Sequence, residues 1–294
     1  MKTKNVKLNL LPYIFLFPMV VIMVGLVYYP VIRTFFMSLS AMDLLKPQEK
    51  GFVFLDNFIS IVHSPKIWLS LSNTFFVLVL VLAGTIILGT IFALTLNRTS
   101  KIEGFLLAVT ILPWALPPVV NGILWRGIFH PKFGIINKLL LSIGFIKTEI
   151  QWLTEPYLVL TIAALVVLWR VVPLAAMIIL SALRAIPNEL YESAQMDGCN
   201  SWSAFRFITL PIISPAMAIV LTLTSVSAIN LFDEVVSLTG FSVQTETVLI
   251  EAYTRMFTYL NFGEGSGFIV LIMLISAIPT YFYIKFVNKQ VEYI

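Results

Sequence analysis

The sequence from Ala185 to Pro215 reads AIPNELYESAQMDGCNSWSAFRFITLPIISP. It is a long polar interruption in the second half of an otherwise apolar sequence. Asn188 can cap a helix, and Glu189 and Glu192 then place negative charge in its first turns, where the helix dipole favours it. Gly198 ends this helix, because glycine adopts a positive φ without penalty. We therefore predict a helix followed by a sharp turn at Gly198, which we call the glycine corner.

A second short helix is expected directly after the corner. Asn200 or Ser201 can cap it. Its apolar residues are Trp202, Phe205 and Ile208. Pro211 and Pro215 are expected to close it, because proline lacks an amide hydrogen and its ring clashes with the preceding turn. Two short helices between long apolar runs are expected to form a compact projection that contacts another protein.

The composition on either side of this stretch is that of a membrane protein. Of the 294 residues, 59% are hydrophobic and 12% are charged, and the mean hydropathy is +0.95. Because a span needs about 20 apolar residues, the runs with at most one charge predict six transmembrane helices. Their expected positions are 10–36, 73–96, 105–128, 157–183, 214–234 and 267–287. The predicted fold is an all-α integral membrane protein with one transmembrane domain, 1–294, and a loop at 184–213.

Composition also excludes several kinds of chemistry. The net charge of +4 is spread along the chain without the basic cluster that nucleic-acid binding requires. Two histidines and one cysteine make no plausible metal site. No catalytic constellation of nucleophile, base and orienting residue is recognisable, and Gly-Lys, which a phosphate-binding loop requires, does not occur. We expect a chain that is not an enzyme and holds no cofactor, so any nucleotide is bound by another subunit.

The basic residues predict the orientation in the membrane. Lys2, Lys4 and Lys7 precede the first apolar run, and Arg98 and Lys101 follow the second. Lys and Arg are denser in the segments assigned to the inside, which is the usual arrangement. The 184–213 loop and, with six spans, both termini are then cytoplasmic. The first run is expected to be an uncleaved helix.

Two spans carry residues with a predicted packing role. Thr85, Gly89 and Ala93 form a small-residue face that lets a neighbouring helix approach closely. Pro113, Pro117 and Pro118 predict a kinked or locally unwound third span. Broken helices often border a transport path, although a bend used only for packing is an equally good interpretation. Between the third and fourth spans, the apolar pattern from Ile135 to Ile143 predicts a short helix along the membrane surface.

The 185–215 stretch resembles a known family. Two short sequences flank Gly198: Glu192-Ser193-Ala194, separated from it by three residues, and Ile208-Thr209-Leu210-Pro211, separated from it by nine. Together they are similar to the coupling loop of ATP-binding-cassette importer permeases. The sugar-importer branch, of the maltose type, is the most similar, since its pattern includes the Asp197-Gly198 pair. That branch usually has alanine at the position of Ser193. The third-span sequence ILPWALPPVVNGILW also resembles this branch, whereas Phe241-Ser242-Val243 replaces the glycines and proline that the family has after Gly240.

The resemblance implies a type I importer permease with defined partners. These are a second homologous permease subunit, two ATPase subunits that hold ATP and magnesium, and an extracytoplasmic substrate-binding protein. The implied cargo is a di- or oligosaccharide, and the implied location is a bacterial cytoplasmic membrane. By analogy, Glu192 contacts the ATPase, Gly198 sets the corner, and Leu210 and Pro211 fix the exit into the fifth span. The remaining positions assigned to coupling are Ser193, Ala194, Asp197 (which can cap or brace the corner) and Ile208.

Other transporters remain as alternatives. An importer of the same family for glycerol phosphate, a polyamine or an acidic saccharide is the main one. A secondary transporter without ATP is a weaker alternative, because it would need carboxylates within the spans for ion coupling. The sequence offers essentially none before Asp233.

Arg170 lies near the middle of the fourth span, where an unpaired charge is costly. It is therefore a candidate for the wall of the translocation path, where it would meet sugar hydroxyls. The other candidates for this wall are Trp169, Leu174, Ser227 and Asn230. The alternative interpretation is an internal ion pair with Asp233 or Glu234 that only braces the helix bundle. The sequence favours neither.

Overall fold

A computed structural model describes residues 11–46, 48, 51–97 and 102–291. Five of the basic residues that predict the orientation, Lys2, Lys4, Lys7, Arg98 and Lys101, lie outside this part. The described regular structure is helical apart from one antiparallel hairpin, in which β1 (Ser40–Ala41) pairs with β2 (Gly51–Phe52). The helices are α1 Leu11–Ser38, α2 Asp56–His63, α3 Pro65–Leu96, α4 Glu103–Ala115, α5 Pro118–Ile128, α6 Ile135–Ser142, α7 Pro156–Arg184, α8 Asn188–Met196, α9 Ser201–Ile229, α10 Asp233–Thr239, α11 Val248–Tyr253 and α12 Phe262–Val291.

Five of these helices are long and apolar enough to cross a membrane, namely α1, α3, α7, α9 and α12. A sixth span results when α4 and α5 are taken together, since they follow each other with a bend of 95°. The break lies at Leu116 and Pro117, where the prolines predicted an unwound third span. The described chain is thus an all-α protein with the helices of a multi-span membrane protein. Three helices begin well before the predicted spans, namely α3 at Pro65, α9 at Ser201 and α12 at Phe262.

The chain divides into two compact units. The first comprises the described parts of 1–63 together with 252–270. In it, the Asn57 side-chain amide donates to the carbonyl oxygens of Ser38 (2.8 Å) and Ser40 (3.0 Å) and so holds α2 against the end of α1. Arg255 and Glu264 form an ion pair of 2.8 Å. No residue of α1 before Ser38 is buried, so the apolar side chains of this helix are left for lipid or another chain.

The second unit comprises the described parts of 64–251 and 271–294. Its central helix is α7, which is buried along most of its length, with Leu160, Ala163 and Val167 fully enclosed. The predicted small-residue face of α3 packs on α7. A Cβ atom placed on Gly89 would lie 3.2 Å from the Cβ of Ala175, and Thr85, which belongs to the same face, is completely buried. The close approach that small residues permit therefore occurs where the spacing predicted it.

Candidate coupling segment and translocation path

The first helix of the 185–215 stretch, α8, begins at Asn188. Pro187 occupies the capping position with extended backbone (ψ 138°), and no side chain caps the helix. The predicted cap by Asn188 is therefore wrong. The reason is that the chain already turns at Pro187, which makes Asn188 the first helical residue. Glu189 lies in the first turn, as the dipole favours.

The glycine corner is present and has a defined geometry. Gly198 adopts φ +81°, in the left-handed region. Its N–H donates to the carbonyl oxygen of Gln195 (3.0 Å), and the N–H of Cys199 donates to that of Ala194 (2.9 Å). This pair of hydrogen bonds is the Schellman ending of a helix, which needs a left-handed residue at the position of Gly198. Asp197 is the last residue before the corner.

The second helix, α9, does not end at the prolines. Asn200 caps it by accepting a hydrogen bond from the N–H of Ser203 (2.8 Å), but the helix then continues from Ser201 to Ile229. The prediction that Pro211 and Pro215 close it is wrong for two reasons. A π-helical turn at Phe205–Thr209 widens the helix ahead of Pro211. The carbonyl of Pro211, which Pro215 cannot bond, accepts from the Ser214 hydroxyl (2.7 Å).

A hydrogen bond braces the two helices of the coupling segment, which we define as residues 188–211. The hydroxyls of Tyr191 on α8 and Thr209 on α9 lie 2.9 Å apart. Tyr191 also packs against a buried cluster that contains Leu183, Ile186 and Ile213. The segment is therefore attached to the ends of α7 and α9 as one body.

The residues that the resemblance assigned to coupling fall on two sides of the segment. Glu192, Ser193, Asp197, Gly198 and Pro211 are exposed, whereas Ala194 is buried and Ile208 and Leu210 are half-buried. Three large apolar side chains of the segment are exposed, namely Met196, Trp202 and Phe207, at 89%, 68% and 72%. Trp202 lines a cleft that also contains Ile87 and Ile91. Exposed bulky apolar side chains in a polar stretch are candidates for a contact with a partner, and Met196 and Phe207 were not predicted to have this role.

A small, partly open cavity of about 50 Å³ lies between the end of α4, the middle of α7 and the second half of α9. The structure brings three predicted path residues, Arg170, Leu174 and Ser227, into its wall. Trp169 and Asn230 are not among the lining residues. Trp169 instead meets the edge of Trp125 at a ring distance of 6.0 Å. Trp114 and Thr224, which were not predicted from the sequence, complete the polar part of the wall.

Arg170 forms an ion pair with Glu234. Its Nε and Nη2 atoms donate to the same oxygen, Glu234 Oε1, at 3.2 and 2.8 Å. The Arg170 side chain is 16% exposed and that of Glu234 is 4% exposed. Arg170 thus satisfies both interpretations, since it is paired and also lines the cavity. Glu234, the last residue of the predicted fifth span, lies in α10, which packs against α5 and α7. Its ion pair with Arg170 places it level with the middle of α7.

The cavity lies beside the interrupted span α4–α5 and near the end of α9. The α4–α5 break comes shortly after Trp114, and α9 ends at Ile229, shortly after Ser227. The helices that follow, α5 and α10, touch at Gly122, where a Cβ would lie 2.6 Å from that of Ser237. Interrupted helices at mid-membrane depth are the usual border of a transport path.

The exposed coupling segment is continuous with α7 and α9, and both helices line the cavity. This arrangement is that of a membrane transport component. The chain belongs to the family of binding-protein-dependent transport system inner membrane components, whose sequence profile matches residues 85–293. It is accordingly a transport subunit of the ATP-binding-cassette importer type. In the part of the chain that the structure describes, no three His, Cys, Asp or Glu residues are grouped to hold a metal ion.

Relatives with known names cover nearly the whole chain. The trehalose/maltose transport system permease protein MalF of Thermococcus litoralis is 29% identical over 97% of this chain and 95% of its own length. The sulfoquinovosyl glycerol transport system permease protein SmoG of Agrobacterium fabrum is 27% identical over 96% and 92%. The trehalose transport system permease protein SugA of Mycobacterium tuberculosis is 27% identical over 94% and 88%.

Solved structures have the same fold. A chain of a bacterial ABC transporter involved in the import of the acidic polysaccharide alginate superimposes with a TM-score of 0.82 over 97% of this chain and 98% of that one, at 21% identity. At this identity the likeness concerns the fold.

Proposed function

We propose that this chain is the permease subunit of an ATP-driven importer that carries a di- or oligosaccharide across the cytoplasmic membrane. Its relatives include permeases named for trehalose and maltose, and this supports a saccharide cargo. The coupling segment and both chain ends face the cytoplasm in this proposal. The density of basic residues supports this orientation.

Four further subunits complete the proposed transporter. A second, homologous permease shares the translocation path, and two ATPase subunits bind ATP and magnesium. A substrate-binding protein delivers the saccharide from outside. The family name supports the binding protein, as does a solved alginate transporter in complex with a pentasaccharide-bound periplasmic protein.

The observation that carries the proposal is the continuity of α9. This helix runs from Ser201, in the coupling segment, to Ile229, just beyond the cavity residue Ser227. With 29 residues at about 1.5 Å per residue, the helix is roughly 40 Å long. A movement of its first turn is therefore transmitted to the cavity. On the other side, α7 connects the segment to Arg170 and Leu174. An ATPase that moves the coupling segment therefore tilts two walls of the cavity at once.

The end of α9 that belongs to the coupling segment has room to move. A wide cleft, of about 1210 Å³, separates the second half of α3, at Ile87 and Ile91, from Trp202 and Phe205 of α9. The cavity itself is small, with a volume of about 50 Å³. In our proposal, movement of α7 and α9 widens it for the saccharide.

The test is uptake by the purified transporter. The tagged chain is isolated in mild detergent with its copurifying subunits, which are identified, and reconstituted in liposomes with the binding protein. We expect an ATPase and a second permease in the complex, and accumulation of labelled trehalose or maltose only when ATP reaches the ATPase. The same liposomes without ATP are the control. Uptake of glycerol phosphate or a polyamine instead of either sugar would overturn the saccharide assignment, and uptake without ATP would overturn the importer assignment.

A further inference from the structure

The cavity wall contains a cation whose charge is already balanced. Among the lining residues, Arg170 is the charged one. Its guanidinium lies at the middle of α7, where an unpaired charge is costly. Glu234 supplies the compensating charge through two hydrogen bonds to one carboxylate oxygen, at 2.8 and 3.2 Å.

The position of Glu234 is fixed by the fold. It lies in the first turn of α10, directly beyond the break that ends α9. This short helix is held against α5 by the close contact between Gly122 and Ser237. With only 4% of its side chain exposed, Glu234 has little freedom to leave Arg170. The counter-ion is therefore a permanent part of the site and does not have to come from the cargo.

The remainder of the wall is uncharged. It combines apolar side chains with two hydroxyls and an indole, contributed by Leu174, Val220, Leu223, Thr224, Ser227 and Trp114. Hydroxyl groups exchange hydrogen bonds with sugar hydroxyls, and an indole ring packs against the apolar face of a sugar ring. This mixture suits a polar molecule that has no net charge.

We propose that Glu234 is a specificity-determining residue, which neutralises Arg170 so that the path accepts an uncharged saccharide and rejects an acidic one. This inference rests on the function proposed above. A carboxylate or sulfonate that enters the site gives up its hydration, and such a loss is costly without a free counter-ion. It also meets the repulsion of Glu234. Two similar proteins are named for acidic cargoes, alginate and sulfoquinovosyl glycerol, so charge is a property on which related permeases can differ.

Binding of two disaccharides to the intact transporter tests the inference. The probes are trehalose, which is uncharged, and digalacturonate, which carries two carboxylates. Trp114 lies in the cavity wall, so tryptophan fluorescence of the detergent-solubilised complex, titrated without binding protein, reports on occupancy. A Trp114→Phe complex shows which part of the signal comes from this position. We expect the wild type to bind trehalose at least about tenfold more tightly than digalacturonate, the factor expected of one hydrogen bond to a charged group.

The variant Glu234→Gln keeps the shape of the side chain and uncovers the charge of Arg170. We expect it to shift the ratio of the two affinities by about tenfold or more in favour of digalacturonate. The double variant Arg170→Gln/Glu234→Gln has no net charge at the site and is expected to keep the preference for trehalose. This separates an effect of charge from an effect of altered packing.

Three outcomes would overturn the inference. One is a wild-type complex that binds both disaccharides equally, which leaves the proposed importer function intact. Another is an assembled Glu234→Gln complex with an unchanged ratio. A wild-type complex that responds to neither disaccharide, and also takes up no saccharide with ATP, would overturn the proposed function as well. If Glu234→Gln does not assemble, the wild-type ratio decides alone.

Discussion

Replacement of Arg170 by methionine is expected to lower the stability of the transporter by about 3–5 kcal/mol, because it leaves a buried carboxylate without its partner. The Glu234 side chain is 4% exposed, and Arg170 donates two hydrogen bonds to its Oε1 atom. Thermal unfolding of the detergent-solubilised complex measures the effect as a lower midpoint temperature. Where the variant still assembles, the affinity and specificity of uptake should change too, since Arg170 lines the cavity.

The double variant Arg170→Met/Glu234→Met is the matched control. It removes both charges and fills the space with apolar atoms, a change that is often neutral or stabilising for a buried pair. We therefore expect it to unfold close to the wild-type temperature. If the single variant is as stable as the wild type, the ion pair does not hold the site together. If the single variant takes up sugar with unchanged affinity and specificity, Arg170 is not part of the path.

Replacement of Gly198 by valine is expected to abolish uptake while the chain remains in the membrane. A Cβ at this position meets no other atom within 4 Å, so there is no steric clash. The cost comes from the backbone, because φ +81° is disfavoured for a side chain with a Cβ by roughly 1–2 kcal/mol, and a β-branched residue is a genuine outlier there. The turn would lose the hydrogen bond from the Gly198 N–H to Gln195 and the one from the Cys199 N–H to Ala194. We then expect α8 to be misoriented towards the ATPase.

The control for this prediction is Gly198→Asn, because asparagine tolerates the left-handed region and is a natural helix ending. ATP-driven uptake and ATP hydrolysis are compared in the two variants at equal amounts of assembled complex. We expect uptake to be lost with valine and largely kept with asparagine. Normal uptake by the valine variant would mean that the corner has no role in coupling.

Features that depend on neighbouring residues in the chain could be predicted from the sequence. The left-handed corner at Gly198, the interrupted span at Pro117 and the small-residue face around Gly89 each follow from backbone freedom, a missing amide or side-chain size. The failed predictions near Asn188, Pro211 and Pro215 are also local. Asn188 does not cap its helix because the chain already turns at Pro187. Pro211 and Pro215 do not end theirs because a wider turn and the Ser214 hydroxyl compensate for the missing hydrogen bonds.

The site itself depends on contacts between distant parts of the chain. Glu234 follows Arg170 by 64 positions, and Tyr191 precedes Thr209 by 18. Periodicity contains no information on which of two adjacent carboxylates, Asp233 or Glu234, faces α7. The return of the chain as α10 after the break is visible only in three dimensions.

The most direct test of the coupling assignment uses the single cysteine of the chain. Cys199 is exposed and follows the corner residue Gly198. The complex purified with its ATPase is treated with a short thiol-to-amine cross-linker, and its reaction with a thiol label is compared before and after removal of the ATPase. We predict that Cys199 is cross-linked to the ATPase and becomes more reactive when the ATPase is removed. The absence of a cross-link, together with equal labelling in both states, would mean that the coupling segment does not contact the ATPase.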